Sequence, residues 1–349
     1  MVSVKAKKQV ARTFTEAGKA SICFMCRLLE LPRSSFYALS KVSPAKRDLE
    51  REIVKISEDG TFKVVFKEKI PVKLGEGGIN NQQIAHSPFL RGIKAMITHK
   101  ESIDKHGVEH VMAFATSAIR SAKNGQEFAQ KVKSVTGIEI EIISGDREAE
   151  LIYYGVRRAL NLGKEKCLIM DIGGGSTEFV IADQEMIYWK HSFDLGAARL
   201  LEVINPSEPI EKSEIKYLKK YLQEELSLLW EACRKFDLKT LIGSSGSFDS
   251  MAEMIYHRFH TDENPLIKTE YHFDLKHFEA MYKVILSSTV EKRFKIKGLA
   301  AMRVEMIVVA VILIRFVFKE LELEQMRLST YSLKEGILYQ HLQQKGLVG

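Results

Sequence analysis

The chain has little of what would mark several protein classes. Only four of its 349 residues are cysteine, Cys23, Cys26, Cys167 and Cys233. Thiols so few and so spaced draw no disulfide framework in a chain this long, which points to a reducing compartment. Cys23 and Cys26 have a metal-like spacing, yet no second Cys or His pair lies nearby. Both fall on one apolar helical face, so packing rather than zinc is expected. Seven prolines and 22 glycines exclude collagen-like and low-complexity sequence. Long apolar runs are also missing. Met306 to Ile314 holds nine such residues before Arg315, well short of the about 20 that a membrane helix needs. It reads as a buried helix. The first thirty residues carry charges throughout and show no apolar core before a small-residue cleavage site. A cytoplasmic protein without a membrane segment is expected.

What is present describes a globular chain. Apolar residues make up 45% and charged residues 28%, enough for a sizeable core, and the length suggests roughly two domains. The formal net charge is +7, unevenly placed. Met1 to Ser57 contains twelve basic and five acidic residues, which accounts for the whole excess. The remainder is balanced, so a basic N-terminal segment of residues 1–57 precedes an electroneutral body.

Along the chain, Ile22, Met25, Leu28 and Leu29 recur at helical spacing, Leu31-Pro32-Arg33-Ser34 breaks the pattern, and Phe36, Tyr37 and Leu39 resume it. Helix, turn, helix is the natural reading. A charged helix is expected from Ala45 to about Ile56, and the style changes at Glu58-Asp59-Gly60. Beyond that break, strand and helix alternate: a strand at 61–71, a helix at 89–105, strands at 110–116 and 138–144 separated by a helix at 126–136, and a helix at 148–162. A hairpin is expected at 167–182, with further helices at 215–235, 275–286, 302–320 and 333–344. This alternation argues for an α/β fold. It divides into a first lobe at 58–153, a second at 154–328 and a returning C-terminal helix at 329–349.

Chemistry concentrates in a few stretches. Leu168-Ile169-Met170-Asp171-Ile172 is a buried-strand pattern ending in Gly173, Gly174 and Gly175, where backbone N–H groups can approach an anion closely. Ser176 and Thr177 add hydroxyl donors, and Asp171 and Glu178 could hold Mg²⁺ through water. A plain tight hairpin is the bland alternative. Gly243-Ser244-Ser245-Gly246-Ser247 lies between a short strand and a helix, so the helix N-terminus could face a phosphate or simply be capped there. Glu148 opens a helix where a strand has just ended, a place for a general base. Asp146, Glu148 and Glu150 would equally serve the helix dipole. Arg120, after Phe114 to Ile119, could fork onto phosphate oxygens or be a solvated surface residue. His106, His110, His257 and His260 are scattered and join no nucleophile in a triad.

These residues carry a resemblance. Ala115-Thr116-Ser117-Ala118-Ile119-Arg120, Glu141-Ile142-Ile143-Ser144-Gly145-Asp146-Arg147-Glu148 and the Asp171 to Glu178 loop stand in the order of the exopolyphosphatase and guanosine pentaphosphate phosphohydrolase family. Leu195-Gly196-Ala197-Ala198-Arg199, Gly243 to Ser247, Arg303-Val304-Glu305 and Tyr331-Ser332-Leu333-Lys334-Glu335-Gly336 continue the likeness. The resemblance implies an actin-like ATPase fold of two RNase-H-like lobes around a cleft. It implies polyphosphate or a guanosine pentaphosphate as substrate, and Mg²⁺ as cofactor. It places Glu148 as catalytic base, Asp171 and Glu178 as metal and water-orienting acids, and Arg120 on phosphate.

One departure is large. The family begins with an apolar strand and an Asp-x-Gly-Ser type phosphate loop, and Met1 to Ser57 contains neither. Ile22 to Ala38 instead resembles the helix-turn-helix segment of a DDE-type insertion-sequence transposase. The expectation is a fusion with an incomplete first lobe and weakened hydrolysis. DNA is a possible partner of residues 1–57, a nucleotide-sensing interaction protein is the alternative function, and homodimerisation stays open.

Overall fold

The structure, a computed structural model, describes residues 48–57, 62–78, 81–260, 264–265 and 267–347. The helix-turn-helix expected within residues 22–38, with Cys23 and Cys26, lies outside them. The chain divides into two compact units between Ser43 and Pro44, and the description concerns the second.

Its first element corrects a sequence expectation. The segment read as a charged helix is strand β1 (Asp48–Ile56), which pairs antiparallel with β2 (Phe62–Pro71). The residues are good helix formers, but their burial has period two. Arg51 and Ile53 are buried, Leu49 packs against the same side of the core, and Glu50 and Glu52 meet Lys67 on β2. Pairing with β2 outweighs helix propensity, which is a weak prior. The break drawn at 57/58 therefore falls between two strands of one hairpin.

Helix α1 (His86–Lys105) covers this hairpin and accepts Arg51 Nη1 on the carbonyl of His99 at 2.7 Å. Strand β3 (Ala113–Ala115) runs parallel to β4 (Ile140–Ile142), connected through α2 (Gly125–Thr136). Both strand pairs pack on a cluster that includes Val72, Ile93, Ala115, Ile119, Phe128 and Val132. Helix α3 (Gly145–Ala159) then leads into the second lobe, its N-cap Ser144 accepting from the N–H of Arg147 at 3.1 Å.

The second lobe contains β5 (Cys167–Ile172), β6 (Thr177–Ala182), β7 (Ile187–Phe193), α4 (Ala197–Ile204), α5 (Lys212–Glu225), β8 (Thr240–Ser244), α6 (Gly246–Phe259) and β9 (Glu270–His272). It closes with α7 (Leu275–Leu286), α8 (Ile307–Glu320), β10 (Gln325–Ser329) and α9 (Leu333–Gln344). Its sheet has the order β7-β6-β5-β8-β10-β9. Strands β5 and β6 are buried at every position because helices cover both faces, which is why Cys167 to Met170 and Phe179 to Ala182 read as apolar runs. The Met306 to Ile314 run is the body of α8 and is buried throughout. Each fully buried Val, Ile or Leu there contributes about 1.5–3 kcal/mol.

The two lobes differ at one place. In the second, β5 lies between an antiparallel partner, β6, and a parallel one, β8. In the first, the hairpin β1–β2 and the parallel pair β3–β4 are separate two-stranded sheets, and no strand among the described residues joins them. Helices α3 and α9 cross closely because two glycines meet there. A Cβ on Gly155 would lie 2.1 Å from the carbonyl oxygen of Ser332, and one on Gly336 would lie 1.8 Å from that of Leu151.

Candidate active site

Strand β5 ends in the triple-glycine turn, and α4 shapes it. The carbonyls of Gly173 and Gly174 accept from the N–H groups of Ala197 and Ala198, both at 2.9 Å, while Gly173 N–H donates to Ser176 O at 3.0 Å. With those carbonyls held by the helix N-terminus, the N–H groups of Gly174 and Gly175 make no backbone hydrogen bond among the described residues. That leaves two donors for an anion. The close approach depends on Gly196, where a Cβ would lie 2.3 Å from both Gly174 C and Gly175 N.

Three of the hydroxyls, those of Thr177, Ser244 and Ser245, are engaged with the protein itself. Ser176 and Thr177 are buried, and Thr177 Oγ1 donates to Leu195 O at 2.9 Å. Ser244 Oγ and Ser245 Oγ both donate to Asp171 Oδ2, at 2.6 and 2.7 Å. Ser247 is buried. Gly243 makes room for the Phe248 ring, which a Cβ would meet at 2.0 Å, and Gly246 seats the Arg303 guanidinium. The second turn thus clamps an acid of the first. What Gly174 and Gly175 offer an anion is backbone N–H, and Ser244 and Ser245 of the second turn face a carboxylate.

The acids converge. Asp171 and Glu178 are register partners across β5 and β6, so their Cβ atoms lie about 5 Å apart. Glu178 is buried and accepts from Ser192 Oγ at 2.7 Å. Burial, and then the negative charges of Glu148 and Asp171, push its carboxyl well above the usual carboxylate range. Glu148, buried in the first turn of α3, accepts from Arg120 Nη1 at 2.8 Å. Arg120 also donates to Ile143 O at 3.2 Å and, through Nη2, to Ser192 Oγ at 3.5 Å. Ser192 therefore bridges the Arg120–Glu148 pair and Glu178. Gly145 permits the approach, since a Cβ there would lie 2.4 Å from Ser192 Cβ.

The structure thus brings Asp171, Glu178, Glu148, Arg120 and both turns into one locality. Sequence reading passed over Ser192, Gly196 and Ser332 as separate participants. Ser192 faces Glu178 on the neighbouring strand, a pairing that exists only in the folded sheet.

No three His, Cys, Asp or Glu side chains among the described residues group as a ready-made metal cluster. Mg²⁺ does not require one, because it keeps several waters and uses one or two carboxylates beside substrate phosphates. Asp171 and Glu178, adjacent acids with Glu148 close enough to raise Glu178, are a donor set that a hydrated dication would neutralise. The residues fit the ion.

A sheet with a buried central strand ending in a glycine turn, a second turn converging on the same acid, and the helix carrying Glu148 packed on that sheet mark the actin-like ATPase fold. The chain belongs to the Ppx/GppA phosphatase family, whose sequence pattern matches residues 53–345. It is similar to a putative exopolyphosphatase of Haemophilus influenzae, 28% identical over 281 residues, 80% of this chain and 84% of that protein. It is also similar to the solved exopolyphosphatase of Cytophaga hutchinsonii, 35% identical with a TM-score of 0.81, covering 85% of this chain and 95% of that one. The Aquifex aeolicus member of the Ppx/GppA family shares the fold at 23% identity and a TM-score of 0.72, over 85% of this chain and 95% of that one. Among the described residues no helix is long and apolar enough to cross a membrane.

Proposed function

We propose that the chain hydrolyses the terminal phosphoanhydride of polyphosphate or of a guanosine pentaphosphate, and that it does so slowly. The observation carrying this reading is the placing of Glu148, held by Arg120 and bridged through Ser192 to Glu178, opposite a turn whose free N–H groups suit phosphate. Glu148 takes the proton of a water whose oxygen attacks the terminal phosphorus. The P–O anhydride bond breaks, and its electron pair leaves with the shortened phosphate chain. Arg120 holds Glu148 in place and can offer its remaining N–H to a phosphate oxygen. Gly174 and Gly175 hold the transferred group. Asp171 and Glu178 would hold Mg²⁺ through water, and the ion would supply charge neutralisation to the phosphates.

Slowness follows from the first lobe. It contributes Arg120, but among its described residues it has no strand paired on both sides as β5 is and no triple-glycine turn. Each missing oxyanion-type donor is worth about 10² to 10³ in rate. The test is phosphate release from long-chain polyphosphate with Mg²⁺, for this chain, Glu148→Gln and the Cytophaga hutchinsonii exopolyphosphatase. The expected order is relative, then this chain, then a Glu148→Gln variant lower by a further factor of about 10² to 10⁴. Equal rates for the relative and this chain would refute the impairment, and an unaffected Glu148→Gln variant would refute the assignment of the base.

The basic excess of residues 1–57 supports a second reading, DNA binding beside a nucleotide-sensing body. Such binding weakens steeply as salt rises, because Lys and Arg release counterions from the duplex. Affinity independent of salt would remove it.

A further inference from the structure

Asp171 is held by more than the two serines of the second turn. Ser332 Oγ, at the start of α9, also donates to Oδ2 of the same carboxylate and lies 3.2 Å from Ser245 Oγ. A hydroxyl has one proton to give. All three protons are therefore committed to one oxygen, and Oδ1 accepts no hydrogen bond among the described residues. The clamp keeps its shape against backbone strain. Ser245 sits at φ 65° and ψ 177°, a region that residues with a Cβ rarely occupy at a cost of about 1–3 kcal/mol.

Ser332 differs from its two companions in where it comes from. Ser244 and Ser245 belong to the sheet and turn of the second lobe, whereas Ser332 belongs to the helix that crosses α3 at Gly155 and Gly336. Helix α3 carries Glu148. The same turn is tied on its other side, where Lys334 Nζ donates to Glu52 of β1 at 2.6 Å. A shift of α3 against the sheet would move Glu148 and Ser332 together.

We infer that Ser332 is a positioning residue for the reaction: its hydroxyl completes the clamp on Asp171 Oδ2, leaves Oδ1 as the oxygen acting in the cleft, and couples that acid to the helix bearing Glu148. The inference rests on the phosphoanhydride hydrolysis proposed above.

Ser332 also begins a capping box, in which Glu335 Oε2 accepts from Ser332 N–H at 2.9 Å, so a structural role has to be separated from positioning. Phosphate release and melting temperature are measured for Ser332→Ala, Ser332→Thr and Glu335→Ala. Ser332→Ala is expected to lower kcat about ten- to a hundredfold with KM within about threefold, as misplacement of a catalytic group does. Ser332→Thr keeps the hydroxyl and should recover most of kcat. Glu335→Ala should lower the melting temperature about as much as Ser332→Ala while keeping kcat within about threefold, since it removes the cap and leaves the clamp. Parallel loss of kcat and melting temperature in Ser332→Ala and Glu335→Ala would overturn the inference, as would an unchanged kcat in Ser332→Ala.

A second measurement does not depend on turnover. Ser332→Ala, Asp171→Ala and the double variant form a cycle of melting temperatures. The clamp predicts that the double variant loses clearly less than the two single losses together. Additive losses would overturn the clamp even in a chain that releases phosphate. A wild-type chain that releases none would sink the proposed hydrolysis, with the cycle still deciding the Ser332–Asp171 contact.

Discussion

Asp249, in the first turn of α6, offers a quantitative check on the electrostatics around the second turn. Burial raises its carboxyl from 3.8 to about 6; Arg303 opposes the shift, and Asp171 and Glu253 add to it. The sign follows from proton linkage. A carboxyl with a raised folded-state value binds its proton more tightly folded than unfolded. Its stabilising contribution is complete below 3.8 and is lost as pH rises through about 6. Two pH units correspond to about 2.7 kcal/mol, and because the residue keeps some exposure a figure of about 2 kcal/mol is expected. Asp249→Asn removes the titration. Urea unfolding of both proteins at several pH values between about 4 and 7.5 measures the difference. Relative to wild type, the variant should gain about 2 kcal/mol across that range, most of it between about pH 4 and 6. Parallel stability curves would refute the reasoning, because they would mean that the Asp249 carboxyl has the same proton affinity folded and unfolded.

Two further perturbations bear on the site. Arg120→Ala leaves Glu148 buried without the cation that pairs it, and should cost about 3 kcal/mol in urea unfolding; an unchanged stability would contradict the pairing. Gly196→Ala places a Cβ 2.3 Å from the backbone of Gly174 and Gly175, so an overpacking loss of about 1–3 kcal/mol is expected together with a fall in kcat/KM for polyphosphate; normal turnover would show that the turn is not the cradle.

Much of the architecture was legible before any coordinate. Helices with a strong apolar stripe, such as Gly125–Thr136 and Leu275–Leu286, and the strand Cys167–Ile172, apolar but for Asp171, announce themselves because burial imposes their pattern residue by residue. Asp48–Ile56 misleads for the converse reason. Its charged residues favour helix locally, and only the distant partner Phe62–Pro71 makes a strand the better solution.

The amino-acid order by itself determined the chemical vocabulary of the site: an acid before three glycines, a glutamate opening a helix, an arginine after a short strand, a serine-rich turn. Tertiary structure alone decided which atoms face which. The serines of the second turn had to be folded against Asp171 before it was clear that their protons go to a carboxylate. Ser332, 161 positions along the chain from Asp171, and Ser192, bridging two lobes, have no signature because a hydroxyl acquires its meaning only from the donor or acceptor packed beside it. Local pattern records how a segment is buried, whereas hydrogen bonds between distant segments exist only once the chain has closed on itself.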